Sequence, residues 1–368
     1  MNGELHSEIE GKIRRVRDYL DRTGYDGLLI GRKDNFAWLT CGGTSEVVIR
    51  SEYGAGILVI SPRRVQLIAH PMDGPRILEE ELGGISVDYV QVEWHESTLL
   101  EKAAELTAGK RFASDLSVAG VDYLPEALTS LHYPLTGLEL NRLRSLGATT
   151  ESVLRSVADH ATPGMSEREV AGMLEAEYAR LGIACDVVLV GSDERVSRYR
   201  HPVPTDKRVE RFLLLHSAVQ QHGLHANVTR LVSFGKVSEE VQARYDAASR
   251  VEATAMSMCV PGTRFRDILA AEKQALSDQG YPDDWRFHFL GGTTGYIVAD
   301  PSLCLEPDAV VSANQAYDWF ITITGVKVEE LSVNAGGRSA VYSVTGRWPT
   351  KNYDIHSRSF ELPLILSK

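Results

Sequence analysis

The sequence predicts an α+β protein: a pseudo-two-fold domain of repeated helix-helix-strand units, preceded by a smaller α/β domain. Three observations carry this. Residues 147–183 and 245–281 echo one another, with Pro163-Gly164 matched by Pro261-Gly262 and Gly182 matched, at the same spacing, by Gly280. Self-similarity at a fixed offset is the signature of a duplicated structural unit. Each unit is followed by a β-rich stretch, FLLLHSAVQQHGLHANVTRLVSF after the first and AVVSANQAYDWFITITGVKVEELSV after the second. The first third of the chain instead alternates helical and extended patterns, as a layered α/β domain does.

Taken in order, residues 6–22 have helical periodicity, and GLLIG at 27–31 reads as a buried strand. GAGILVIS and RRVQLIAH read as neighbouring strands. DGPRILEEEL and ESTLLEKAAEL read as helices, with strands at VDYVQVE and RFASDLS. LHYPLTGLEL marks the boundary between domains 1–135 and 136–368, because Tyr133-Pro134 disfavours helix and a long helical pattern starts just after it. In the first repeat Ser166 and Glu169 form a capping box that starts the second helix. The apolar runs CDVVLVG and WRFHFLGG read as the strands that close the two repeats. The tail, residues 348–368, has mixed polarity and suggests no chemistry.

The chain has 368 residues and a formal net charge of −11, with both signs interspersed. Such a surface is ill suited to a polyphosphate backbone, so no nucleic-acid partner is expected. No apolar run approaches the ~18 residues that cross a bilayer, and the polar N-terminus lacks the apolar core of a signal peptide. A cytoplasmic protein without a membrane partner is expected. Cys41, Cys185, Cys259 and Cys304 are widely separated and form no CxxC, which argues against a disulfide framework and for buried small hydrophobes.

The order of PGMSEREV, a lone His before a strand, a G-x-x-x-N-x-T-R hairpin, PGTRFRDI, HFLGGTTG, LEPDAVV and GVKVEE resembles the creatinase/aminopeptidase P/methionine aminopeptidase family. The resemblance covers about residues 138–340, and more loosely the N-terminal domain through DNFAWLTC. It implies a C-terminal pita-bread domain behind a creatinase-like N-terminal domain, and a homodimer. Peptidases of this family hold two divalent ions on two Asp, one His and two Glu. By resemblance these positions fall on His216, Asn227, Gly292, Asn314 and Glu329, so one carboxylate survives. Hard divalent ions need anionic oxygen ligands, and neither metal nor any other cofactor is expected. A His-rich rescue from His216, His225 and Glu329 is the alternative metal site.

RYRHPVPTDKRVERFLLLH resembles creatinase around its metal-free general base, which falls on His201. Glu329, partly desolvated, is expected to have a raised pKa and to act as an acid; the plainer reading is a salt bridge with Lys327 or Arg230. His288 falls where relatives hydrogen-bond substrate. His216, Asn227 and Asn314 would line the emptied metal cavity, Gly291 and Gly292 would leave room there, and Arg50, by resemblance to creatinase, would reach across the dimer to a substrate carboxylate. A departure at Thr229, where creatinase has a glutamate, argues against creatine. The expectation is a metal-independent, creatinase-like enzyme acting on a small polar metabolite by His/Glu acid-base chemistry at a C–N bond. The alternatives are an inactive pseudo-peptidase that binds a peptide or metabolite, and a metallohydrolase with a His-rich site.

Overall fold

The computed structural model describes residues 3–82 and 85–368. The chain divides into two compact units, Met1–Tyr133 and Pro134–Lys368.

In the first unit a six-stranded sheet runs in the order β4-β3-β2-β1-β5-β6. Its strands are β1 Gly27–Arg32, β2 Tyr53–Ile60, β3 Val65–Ala69, β4 Asp88–Gln91, β5 Phe112–Ser114 and β6 Asp122–Tyr123. The sheet is mixed: β1 pairs antiparallel with β2 and parallel with β5. Leu29, Ile57, Ile68, Phe112 and Leu116 form its core. Cys41 is buried here, as a small hydrophobe would be.

The second unit contains the repeat. Helices Gly137–His160 and Glu167–Arg180 precede β7 Ala184–Ser192, and helices Glu239–Met258 and Phe265–Asp278 precede β10 Gly291–Thr294. The Ser166–Glu169 capping box forms, with each side chain bonded to the other's backbone N–H. Between the repeats runs a hairpin of β8 Phe212–Gln221 and β9 Leu224–Ser233. Its two-residue turn, His222-Gly223, has both φ angles positive, the geometry whose twist matches a tight hairpin. The second repeat is followed by β11 Gln315–Ile323, β12 Val326–Ala335 and β13 Arg338–Val341. The central sheet is ordered β10-β11-β12-β9-β8-β7, with β13 added beside β12.

β9 and β12 join the two halves through one register pair, Thr229 opposite Glu329. The tail is not shapeless: β14 Thr350–Ile355 and β15 Arg358–Pro363 form a hairpin, and β16 Leu366–Ser367 adds parallel to β9. Tyr353, Phe360 and Leu362 from that hairpin pack into a core cluster with Met256, Phe265 and Trp319.

One predicted strand is corrected. WRFHFLGG is extended only from Gly291; Asp284–Arg286 is a 3-10 turn instead. The Asp284 carboxylate accepts from the Thr324 N–H and pairs with Arg200, which holds the segment as a loop.

Candidate functional site

Register explains how residues far apart in sequence share one face. Leu189 lies opposite His216, His216 opposite Thr229, Thr229 opposite Glu329, and Glu329 opposite Phe320. This single row crosses five strands. Side chains two residues apart on a strand point to the same side, so Ala218, Asn227, Asp318 and Lys327 join that face. With Leu189, His216, Glu329 and Phe320 they line a cavity of about 340 Å³. A larger groove of about 810 Å³ lies in the first unit, where arginines dominate the lining and no predicted site residue does.

At the cavity floor one carboxylate oxygen, Oε2 of Glu329, gathers three partners. The Lys327 ammonium lies 2.9 Å away, His216 Nδ1 lies 2.7 Å away, and the Thr229 hydroxyl donates to the same oxygen. A carboxylate acceptor fixes the proton of His216 on Nδ1. Burial lowers the His216 pKa against the pull of Glu329. Burial also opposes ionisation of Glu329, but His216 and Lys327 outweigh it and lower its pKa. The expected rise in the Glu329 pKa is therefore corrected. Its neighbours are not neutral, because Lys327 points into the same cavity, and the salt bridge with Lys327 is what forms. Arg230 pairs with Glu330 instead.

The acid whose pKa rises is Asp318, pushed well up by burial first and by Glu329 next. Sequence reasoning passed over it. Asn314, the residue expected in its place, sits just ahead of β11 with a positive φ, bonds Asn334 through its N–H, and accepts from Leu135 N–H through its carbonyl. It does not line the cavity. The chain reaches the cavity four residues later, at Asp318, whose partner across the ladder is Gly292. That pairing is the signal that could have found it. Asn227 Nδ2 donates to Asp318 Oδ2 at 2.6 Å and to the Val298 carbonyl at 2.5 Å. Two acceptors fix the amide orientation. Asn227 Oδ1 is buried with no hydrogen-bond partner among the described residues, and since Asp318 Oδ2 accepts from Asn227, a neutral Asp318 carries its proton on Oδ1.

At the cavity mouth His201 and His288 meet Nε2 to Nε2 at 2.9 Å, their rings nearly perpendicular. His288 Nδ1 bonds the Phe289 carbonyl and so carries the proton. Its Nε2 then accepts from His201 Nε2–H, which leaves His201 Nδ1 as a free lone pair. Burial lowers the pKa of both rings, that of His288 to about 4. Their loops are pinned together by Arg200 and Asp284 at 3.0 Å. Gly191 lets Pro202 pack flat on β7, since a Cβ there would meet Pro202 Cγ at 2.5 Å.

The cavity thus brings together His201, Glu329, His288, His216 and Asn227. Arg50 belongs to an exposed turn of the first unit. Gly292 leaves no room: a Cβ would lie 2.0 Å from the Asp300 carbonyl oxygen, so backbone fills the place where a side chain was expected to be missed. The His-rich rescue does not assemble either. Both ring nitrogens of His225 are engaged elsewhere, with the Gly295 carbonyl and with Asp186, the bulge residue of β7. Among the described residues no group of three or more His, Cys, Asp or Glu is arranged to hold a metal ion. The donor set does not fit two divalent ions: one of its two carboxylates is shared with an ammonium, and the other is driven toward its neutral form.

The fold is that of a pita-bread protein. Over 98% of the chain it superposes on all of an Xaa-Pro dipeptidase from Bacillus anthracis, with a TM-score of 0.76 and 17% identity. A prolidase from Pyrococcus horikoshii OT3 gives 0.76 at 16% identity, over 92% of this chain and 99% of that one. The N-terminal domain of the FACT subunit SPT16 from chickpea gives 0.71 at 9%, over 93% and 97%. Residues 141–317 match the model of metallopeptidase family M24. The uncharacterized peptidase YqhT of Bacillus subtilis is 22% identical over 90% of this chain and 98% of its own length. An uncharacterized peptidase of Staphylococcus aureus (strain MW2) is also 22% identical, over 52% of this chain; the chain spans 57% of that relative's length.

The chain is similar to the creatinase/aminopeptidase P family of pita-bread proteins, through the metallopeptidase family model over residues 141–317 and through its fold. These matches overturn the expected metal-independent enzyme for a small polar metabolite. The family model is a metallopeptidase's, and the relatives and structural neighbours named for an activity are peptidases, prolidases or dipeptidases. Among the described residues no helix is long and apolar enough to cross a membrane.

Proposed function

We propose that this chain binds short peptides of about dipeptide size in the His201–Glu329 cavity, as a pseudo-peptidase of the M24 class. The observation that carries the reading is the cavity itself: a pocket of about 340 Å³ whose floor presents an ammonium, Lys327, beside the Asp318 carboxyl and an unpartnered acceptor, Asn227 Oδ1. Pockets of this size hold small ligands by apolar walls and a few fixed polar groups. Val187, Leu189, Phe289 and Phe320 supply walls. Val203, Phe287 and Phe289, all exposed large apolar residues, flank His201 and His288 in the chain and offer a rim for a peptide side chain. A peptide presents a carbonyl or carboxylate to Lys327 and to the Asp318 hydroxyl, and an N–H donor to Asn227. The peptide class comes from the relatives and neighbours. The family resemblance further supports a homodimer, which light scattering of the purified protein checks by mass.

The test is calorimetric titration with a panel of Xaa-Pro and other dipeptides, run beside creatine and with free amino acids assayed after incubation, with and without manganese. Saturable binding of one or more dipeptides without their cleavage supports the reading. Dipeptide cleavage that requires manganese overturns it and restores a metallopeptidase. Binding of creatine but of no dipeptide overturns it as well.

A further inference from the structure

Lys327 has a role that neither the relatives nor the family model assigns. It lies two residues before Glu329 on β12, so both side chains emerge on the cavity face. Lys327 is 4% exposed and Glu329 2%. A lysine is rarely buried to this degree unless it is paired. Here the pairing is local: the ammonium lies 2.9 Å from Glu329 Oε2 and 5.2 Å from the Phe320 ring centroid, over its face. The other polar atoms of the cavity floor are oxygens seeking a cation or a donor. Asn227 Oδ1 is buried and unpartnered, Asn227 Nδ2 is already committed to two acceptors, and the Asp318 carboxyl group faces Glu329. His216 keeps Nε2 as a lone pair, since Nδ1 serves Glu329. Oxygen atoms from a carboxylate, a carboxyl and an amide, with an imidazole nitrogen, are a cation's surroundings, and the cation present is a side chain.

We infer that the Lys327 ammonium is a tethered substitute for a divalent cation: it neutralises Glu329, keeps metal ions out, and offers its remaining N–H donors to a ligand oxygen. The charge balance supports this. A carboxylate buried without a counter-charge is strongly disfavoured, so Glu329 needs one positive neighbour, and Lys327 is covalently present at every metal concentration. A divalent ion entering the same space would meet an ammonium already seated 2.9 Å from the Glu329 carboxylate it needs. An ammonium carries three donors and Glu329 is one acceptor. A ligand carbonyl or carboxylate can take another, where a bare metal ion would have polarised it. The peptide as ligand rests on the proposed function; the cation substitution does not.

Lys327→Met tests the inference, because methionine keeps the chain length and removes the charge. Lys327→Arg and Lys327→Met/Glu329→Gln are the controls, and thermal melting in chelator shows that each variant is folded. The probes are manganese and zinc alone, by calorimetry and thermal shift, then a dipeptide found to bind wild type. Expected is no saturable metal binding at the cavity of wild type or Lys327→Arg. In Lys327→Met one ion should bind and raise the melting temperature, and the double variant should lose that gain. Dipeptide binding in chelator should weaken roughly tenfold in Lys327→Met, the scale of one charge-assisted hydrogen bond. A folded Lys327→Met that gains no metal binding sinks the substitution. So does stoichiometric metal binding by wild type that Glu329→Gln abolishes. If metal binding appears as expected while no dipeptide binds any form, the substitution stands and the peptide reading fails.

Discussion

Glu329 and Glu330 are adjacent in sequence and opposite in surroundings. Each is buried and faces a basic side chain. Glu329 points to the cavity, where it meets Lys327, His216 and Thr229. Glu330 points to the other side of the sheet, where Arg230 holds it in a two-pronged pair and the Ser343 hydroxyl donates to it. Both Arg230 and Glu330 are 0% exposed. The two acids shift in opposite directions. Burial pushes Glu330 up to about 7 against the pull of Arg230, whereas Glu329 goes down. Alternation along one strand thus separates a structural ion pair, closed on all sides, from one that borders a ligand-sized space. The pair alone does not mark function; the open space beside it does.

The largest expected effect lies on the closed side. At pH 8, Glu330→Gln leaves the Arg230 guanidinium without a counter-ion in a place water does not reach. Breaking a buried pair in this way costs about 3–5 kcal/mol. Glu329→Gln also strands a cation, but Lys327 can draw solvent from the cavity, and glutamine still offers an acceptor to His216 and Thr229. About 1–3 kcal/mol is expected there. Chemical denaturation of both variants checks the order. Equal losses would show that the cavity floor is as dry as the helix side.

The reach of the sequence divides along the same line. The repeat, the hairpin and the cap at Ser166 were legible because each depends on local spacing and turn chemistry. His216, Asn227 and Glu329 were legible because they sit at motif positions within a hairpin. Asp318 was not. The family pattern was laid on VVSANQAY, but that segment does not extend into the sheet until Gln315, and only ladder pairing with Gly292 shows which residue faces the cavity. Lys327 was seen as a partner that would explain Glu329 away, because a sequence does not show that both side chains line an open space. Gly292 was misjudged for a related reason: a missing side chain suggests room, and the Asp300-Pro301 backbone takes it.

Gly292 gives a prediction of intermediate size. A Cβ on Gly292 would meet the Asp300 carbonyl oxygen at 2.0 Å and Pro301 N at 2.9 Å. Both are backbone atoms that cannot swing aside, so Gly292→Ala should cost about 1–3 kcal/mol through overpacking. Restoring the family's histidine by Gly292→His should be worse than alanine, and should not create a metal site. A Gly292→His variant as stable as wild type would mean that the Asp300 segment moves away readily.

The smallest effect separates the two faces by pH. The His288 pKa is lowered from its ordinary 6.5 to about 4, chiefly by burial. Above pH 6.5 the ring is neutral in folded and unfolded chains and contributes no pH dependence. As pH falls from 6.5 toward 4 the unfolded chain takes up a proton that the folded one refuses, so stability is lost across that window and levels off below it. Glu330 slopes the other way. Its pKa is raised, so the folded chain holds a proton that the unfolded chain releases, and stability is lost as pH rises from 4.5 to about 7. The wild-type curve sums opposing slopes over one range, and a non-titrating variant separates them. Melting temperatures from pH 8 to pH 4 should show His288→Gln losing less stability on acidification than wild type, with the two curves parallel above pH 6.5. Curves parallel throughout would mean that His288 titrates alike in the folded and unfolded chains. The His201–His288 contact would then leave both rings open to protonation.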